Sequence, residues 1–179
     1  MAQSPHPDVE ITECDRLAAN PPDPDRIAPG VPREAVDLPR AIAACRAAVA
    51  AAPETGRLAY QLGRCLFYAG QRQEAFSCFE QAAVLGYRQA HFILGLVMTR
   101  RFEGLPHDIA RIEHHWRQAA RLGHASAQVS YVRDAVKGRY DHIPERSTRE
   151  EMLRFLAHAK EKVDYLGGLL IEDLTAALK

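Results

Sequence analysis

The sequence predicts an all-α fold of helix hairpins stacked side by side, and three observations carry that reading. The composition is alanine-rich and only 7% aromatic, which favours close-packed helices over sheets. From Asp37 onward, apolar-periodic runs alternate with breaks of a few residues. Two stretches of the chain also repeat one another, Leu62–Ala90 over Leu94–Ala127, and self-similarity of that length marks a solenoid.

The elements follow in order. Eight of the eleven prolines lie in the first 39 residues, and Pro21-Pro22-Asp23-Pro24-Asp25 with Pro29-Gly30 and Pro32 forbids a continuous helix. Residues 1–36 therefore read as an extended arm with one helical turn around Glu13–Ala19. Asp37 is a good N-cap with Pro39 in the first turn. Helices are predicted near 38–52, 57–69, 73–85, 88–101, 108–122 and 125–137, broken at Pro53, Gly70, Gly86, Gly104-Leu105-Pro106 and Gly123. Links this short leave only antiparallel hairpins, so 37–146 forms the repeat body. Ser147-Thr148-Arg149-Glu150 has capping-box spacing and opens a last helix over 147–179, which Gly167-Gly168 kinks or splits.

Within the repeat, Leu62-Gly63 matches Leu94-Gly95, Phe79 matches Trp116, Ala82-Ala83 matches Ala119-Ala120, Gly86 matches Gly123 and Ala90 matches Ala127. Small residues let two helices approach, the aromatic fills the wedge, and each glycine stands where a C-cap needs a left-handed residue. Leu62, Phe79, Ala82, Leu94, Trp116, Ala119 and Leu122 are the expected core. The string from Ala90 through Gly104-Leu105-Pro106-His107-Asp108 and Trp116 to Ala127 resembles a Sel1-like repeat. The hairpin before it resembles a tetratricopeptide repeat, and Ala41 to Pro53 the second helix of another unit. Met98 stands where that family usually has tyrosine, and Tyr131-Val132 replaces Leu-Gly in the last, degenerate unit. The resemblance implies a right-handed αα superhelical solenoid with a C-terminal capping helix.

Charge and cysteines narrow the function. Lys+Arg and Asp+Glu are both 23, which argues against a general nucleic-acid or anionic-membrane binder. No apolar run is long enough for a membrane span. The start MAQSPHPDVE has no signal-peptide character, so the chain as written reads as cytoplasmic. A periplasmic or secreted protein is the alternative if Met1 was placed on a mature segment. No CxxC occurs among Cys14, Cys45, Cys65 and Cys78, so no zinc site is expected, and Cys65 and Cys78 read as buried thiols. The arm, from Cys14-Asp15-Arg16-Leu17 onward, resembles a lead-in found before Sel1 repeats of bacterial proteins, some exported with a caspase-like domain. That lead-in, with an otherwise untethered Cys14, implies a Cys14–Cys45 disulfide if the protein matures in an oxidising compartment.

Motifs for catalysis are missing: no GxSxG, Walker loop, HExxH or Rossmann GxGxxG. No enzyme, cofactor or metal is expected. His114-His115 reads as packing, Glu113 as a solvated position, and His124 as an imidazolium suited to the helix end. In superhelical hairpin arrays the first helix of each pair lines the concave face. The resemblance carries that onto Arg57, Tyr60, Arg64, Phe67 and Tyr68, then Gln89, Phe92, Leu96, Thr99 and Arg100, then Arg133 and Lys137. This groove of aromatics and cations suits an acidic or carboxylate-terminated peptide; the same arginines also read as a solvated face. A protein- or peptide-binding adaptor is the leading reading. The alternatives are an assembly module self-associating through the terminal helix, and a regulatory segment of a larger exported protein.

Overall fold

The computed structural model describes residues 10–178, so the first nine residues of the predicted arm and Lys179 lie outside it. Among the described residues there is no strand. The helices are α1 (Glu13–Ala18), α2 (Leu38–Ala51), α3 (Gly56–Tyr68), α4 (Arg72–Val84), α5 (Arg88–Thr99), α6 (Ile109–Arg121), α7 (Ala125–Val136), α8 (Arg149–Lys160) and α9 (Tyr165–Ala177), with a 3₁₀ turn at Arg33–Ala35. The polar residues expected to start helices do so. Asp37 accepts from Arg40 N before α2, and Asp108 from Ala110 N and Arg111 N before α6.

Successive helices pair as α1/α2, α3/α4, α5/α6 and α7/α8, each hairpin leaning on the next, and α9 closes the stack against α7 and α8. The repeated residues set this geometry. Gly63 faces Phe79 and Gly95 faces Trp116 so closely that a Cβ would lie 2.7 Å and 2.9 Å from the respective ring carbons. Only glycine admits the aromatic there, and the ring then fills the hairpin interior. Leu62, Leu94 and Tyr131, at equivalent places in three first helices, are all buried, as are Phe79, Ala82, Trp116 and Ala119. Gly86 and Gly123 take φ of +76° and +80°. Each ends its helix in a Schellman turn, with Tyr87 N bonding Ala82 O and His124 N bonding Ala119 O, both at 3.0 Å.

Four expectations need correction. Leu122 is 43% exposed, because it is the C-cap of α6 and its side chain leaves the hairpin. The cap of α8 is Thr148, not Ser147: Thr148 accepts from Glu151 N, while Ser147 donates its own N–H to Tyr131 Oη at 2.8 Å. The terminal helix divides at 161–164 rather than at Gly167-Gly168, since Asp164 N-caps a new helix through Gly167 N. Consequently α8 completes the α7 hairpin and α9 alone is the cap.

The first 36 residues are also more than an arm. The helical turn of α1 occupies the first-helix place of a leading hairpin, packing on both α2 and α3. Cys14 in α1 is bonded to Cys45 in α2, with Cα atoms 4.5 Å apart, and both residues are fully buried. Cys65 and Cys78 are free thiols, both pushed up to about 11 by burial. The wedge geometry leads to a first prediction. Trp116→Ala should lower stability by roughly 3–5 kcal/mol through lost packing and the cavity left behind, as measured by urea unfolding followed by circular dichroism.

Candidate functional site: the concave face and the segment seated on it

The first helices α3, α5 and α7 present the predicted groove residues, and over α3 that groove is already filled by residues 15–31. Arg57 donates from Nε and Nη2 to the two Asp15 oxygens at 2.7 and 3.1 Å, and Gln61 adds a third bond to Asp15 at 3.0 Å. One turn on, Arg64 donates from Nη1 to the carbonyls of Ala18 and Ala19 at 3.0 and 3.2 Å, and from Nη2 to Val31 O at 2.6 Å. Asn20 bonds Tyr60 Oη at 2.7 Å. Tyr87 Oη donates to Asp23 at 2.6 Å, and Arg88 grips Asp25 from Nε and Nη2 at 2.6 and 2.7 Å. Tyr68 lies between the guanidiniums of Arg33 and Arg64, 4.9 and 5.0 Å from its ring centre.

Arg57, Tyr60 and Arg64 are thus buried and bind this chain's own leading segment, which corrects their expected role as an open surface. Gln89 is buried too, its Oε1 2.8 Å from His124 Nε2. Gln61, Tyr87 and Arg88 were not singled out by the sequence. The signal that could have found them is the spacing Asp15, Asp23, Asp25 opposite a cationic helix face. Burial alone would raise Asp15, but its bonds from Arg57 and Thr12 hold the carboxyl below the usual range. Asp23, buried with fewer compensating partners, is raised.

The rest of the concave face stays open. At places equivalent to Arg64 and Tyr68 stand Leu96 of α5 and its C-cap Arg100, then Arg133 of α7 and its C-cap Lys137. Leu96 is half-buried, while Arg100, Arg133 and Lys137 are exposed; Arg133 lies 3.5 Å from Asp134 of its own helix. Phe92 packs inward, stacked on the His124 ring at 4.2 Å and edge-on to Trp116.

Three histidines meet on the other side of the sheet of helices. His91 Nδ1 and His115 Nδ1 are 3.1 Å apart, and His114 stands edge-on to both rings. With Glu80, Ala83, Val84 and Arg111 they line a hollow of about 380 Å³. Among the described residues no group of three or more His, Cys, Asp or Glu could hold a metal ion. Burial, then the neighbouring imidazoles, lowers His91 to about 4 and His115 to about 3. Burial and Arg88 lower His124 to about 4. The imidazolium expected at His124 is therefore a neutral ring, whose Nδ1 accepts from Ala127 N to cap α7. Glu113, expected in solvent, is buried and receives Tyr131 Oη at 2.8 Å.

Comparison with known proteins settles the architecture. The sequence matches no protein-family model and no curated protein. The structure is similar to that of a Sel1 repeat protein from Oxalobacter formigenes, with a TM-score of 0.60 at 18% identity over 75% of this chain and 98% of that one. It is also similar to a protective antigen of uropathogenic Escherichia coli displaying the SLR fold, with a TM-score of 0.56 at 17% identity over 88% of this chain and 35% of that one. The chain has a Sel1-like repeat fold. No helix of the described residues is long and apolar enough to cross a membrane.

Two measurements follow for this Sel1-like body. His91, His115 and His124 have folded-state pKa values below the ordinary 6.5. Their neutral forms thus support the fold fully above about pH 6.5, and that support is lost as pH falls through about 4. Lowered Asp15 adds to the acid loss, and raised Asp23 opposes it. Denaturant midpoints should fall over this window, and His91→Gln with His115→Gln should flatten the slope; an unchanged slope would show that the pair does not titrate. Second, Cys14→Ser with Cys45→Ser opens a loop of about 30 residues, for which chain entropy gives roughly 3–4 kcal/mol. Limited proteolysis should then cut first between residues 19 and 36.

Proposed function

We propose that this protein is a non-catalytic interaction scaffold that binds an extended, acidic segment of another protein along the open concave face of α5 and α7. The observation that carries the reading is the way the same face already holds acidic chain over α3. Asp15 sits on Arg57, Asp25 on Arg88, and three backbone carbonyls on Arg64. Paired guanidinium donors and an extended backbone are the chemistry such a groove selects. Leu96 continues the apolar floor, and Arg100, Arg133 and Lys137 continue the row of cations. The Sel1-like architecture supports the coarser reading of a protein-interaction module.

The Cys14–Cys45 bond favours an exported location over a cytoplasmic one, because disulfides persist in oxidising compartments. That also suits the reading of a regulatory repeat segment of a larger exported protein.

The open and filled halves of the groove call for different variants. Arg64→Glu would strand three carbonyls and release the leading segment, so it tests folding rather than binding. Arg100→Glu with Arg133→Glu alters exposed positions only. A partner captured by the wild-type protein should bind this double variant about 30-fold more weakly, at about 1 kcal/mol for each lost pairing. Added salt should weaken the wild-type complex as well. A partner that binds the double variant at full affinity would remove the concave face as the site.

A further inference from the structure

Four of the eight large apolar side chains exposed among the described residues lie on one short stretch of α9: Tyr165 at 78%, Leu166 at 72%, Leu169 at 42% and Leu170 at 40%. The opposite side of this helix, Ile171 and Leu174, is buried in the stack. Thus α9 is apolar on both sides, as a helix is when something packs on each.

We infer that α9 pairs antiparallel with α9 of a second copy of this chain. The occupant is read from the pattern of residues. A two-fold interface must be self-complementary. An antiparallel register centred between residues 167 and 168 sets Leu166 against the second copy's Leu169, with Tyr165 and Leu170 flanking that contact. The same register carries Asp173 toward the turn before the second copy's α9, which holds Lys162, both exposed, so the acidic second half of α9 meets the partly positive N-terminus of the other helix. Asp164 shares that end but is engaged as the N-cap of Gly167. A parallel pairing would set Glu172 and Asp173 against their own copies. This interface lies beyond the concave-face reading and stands or falls independently of it.

The patch is small, so the pairing is reversible and concentration-dependent. Sedimentation equilibrium of the full chain should show the mass rising from 19.9 kDa toward twice that value with concentration. Leu166→Glu with Leu170→Glu changes exposed positions, so the helical spectrum should stay and only the single-copy mass should remain. Lys162→Glu should weaken association several-fold, and adding Asp173→Lys should restore it by exchanging the charges. A single-copy mass at every concentration overturns the inference and assigns the face to another occupant. So does a dimer that survives Leu166→Glu with Leu170→Glu, and failure of the charge exchange overturns the antiparallel register.

Discussion

Asp15 and Arg57 are taken out of water together in the seam between α1 and α3, and the placement of everything before α2 depends on that pair. Desolvating two charges is costly, and the interior tolerates them only when the geometry is good and the remaining donors and acceptors are used. Both conditions hold. Asp15 receives Arg57 twice, Gln61 once, and both Thr12 N and Thr12 Oγ1. Removing either partner would leave the other charged and buried, a loss of about 3–5 kcal/mol. The pair also selects register. Shifting the leading segment by one residue would break the paired Asp15–Arg57 bonds and the Gln61 bond, so α1 has one seat. The Arg64 and Arg88 bonds then hold the proline-rich chain that follows.

This seam shows why part of the molecule was legible in the sequence and part was not. The hairpin body depends on contacts that recur within a few tens of residues, such as Gly63 with Phe79 and Gly95 with Trp116. A small residue facing a large one leaves the same mark in each repeat, and that mark can be read from one chain. The Asp15–Arg57 and Asp25–Arg88 pairs span 42 and 63 residues, and nothing in either local sequence names the other. The cations Arg57 and Arg64 can be read from the spacing of the first helices. What periodicity does not reveal is that the acidic ligand for α3 lies upstream in the same chain. The misplaced details have local causes. Tyr131 captures the Ser147 N–H, so the cap moves to Thr148. Asp164 caps better than Gly167-Gly168 breaks, so the last helix divides earlier. The turn after α5 bends at Arg101, with φ of +53°, where no glycine announces it.

The seating of the leading segment also divides the concave face by chemistry. Over α3, guanidinium donors are consumed by carboxylates and carbonyls, and side chains that would be mobile at a surface are fixed. Over α5 and α7 the equivalent places hold shorter apolar side chains and cations exposed to solvent. A partner meeting this face would therefore find one half rigid and satisfied, with its unfilled hydrogen-bonding capacity confined to the other half. Ordering a ligand there carries its full entropic cost, whereas the segment over α3 is tethered and incurs much less.

The first and last helices of the described stack are finished differently. Stacked hairpins expose an apolar surface at each terminus unless a capping element with a polar outer face covers it. At the leading end α1 is held by a covalent bond to α2 and an ion pair to α3, and its outward residues include Glu13 and Arg16, 3.7 Å apart and exposed. At the trailing end α9 buries Ile171 and Leu174 but turns Tyr165, Leu166, Leu169 and Leu170 outward. A helix serving only as a cap would carry charge at those four positions, as α8 does at Glu150 and Arg154. Among the described residues, α1 is thus held by several redundant bonds, while α9 keeps an apolar outer face.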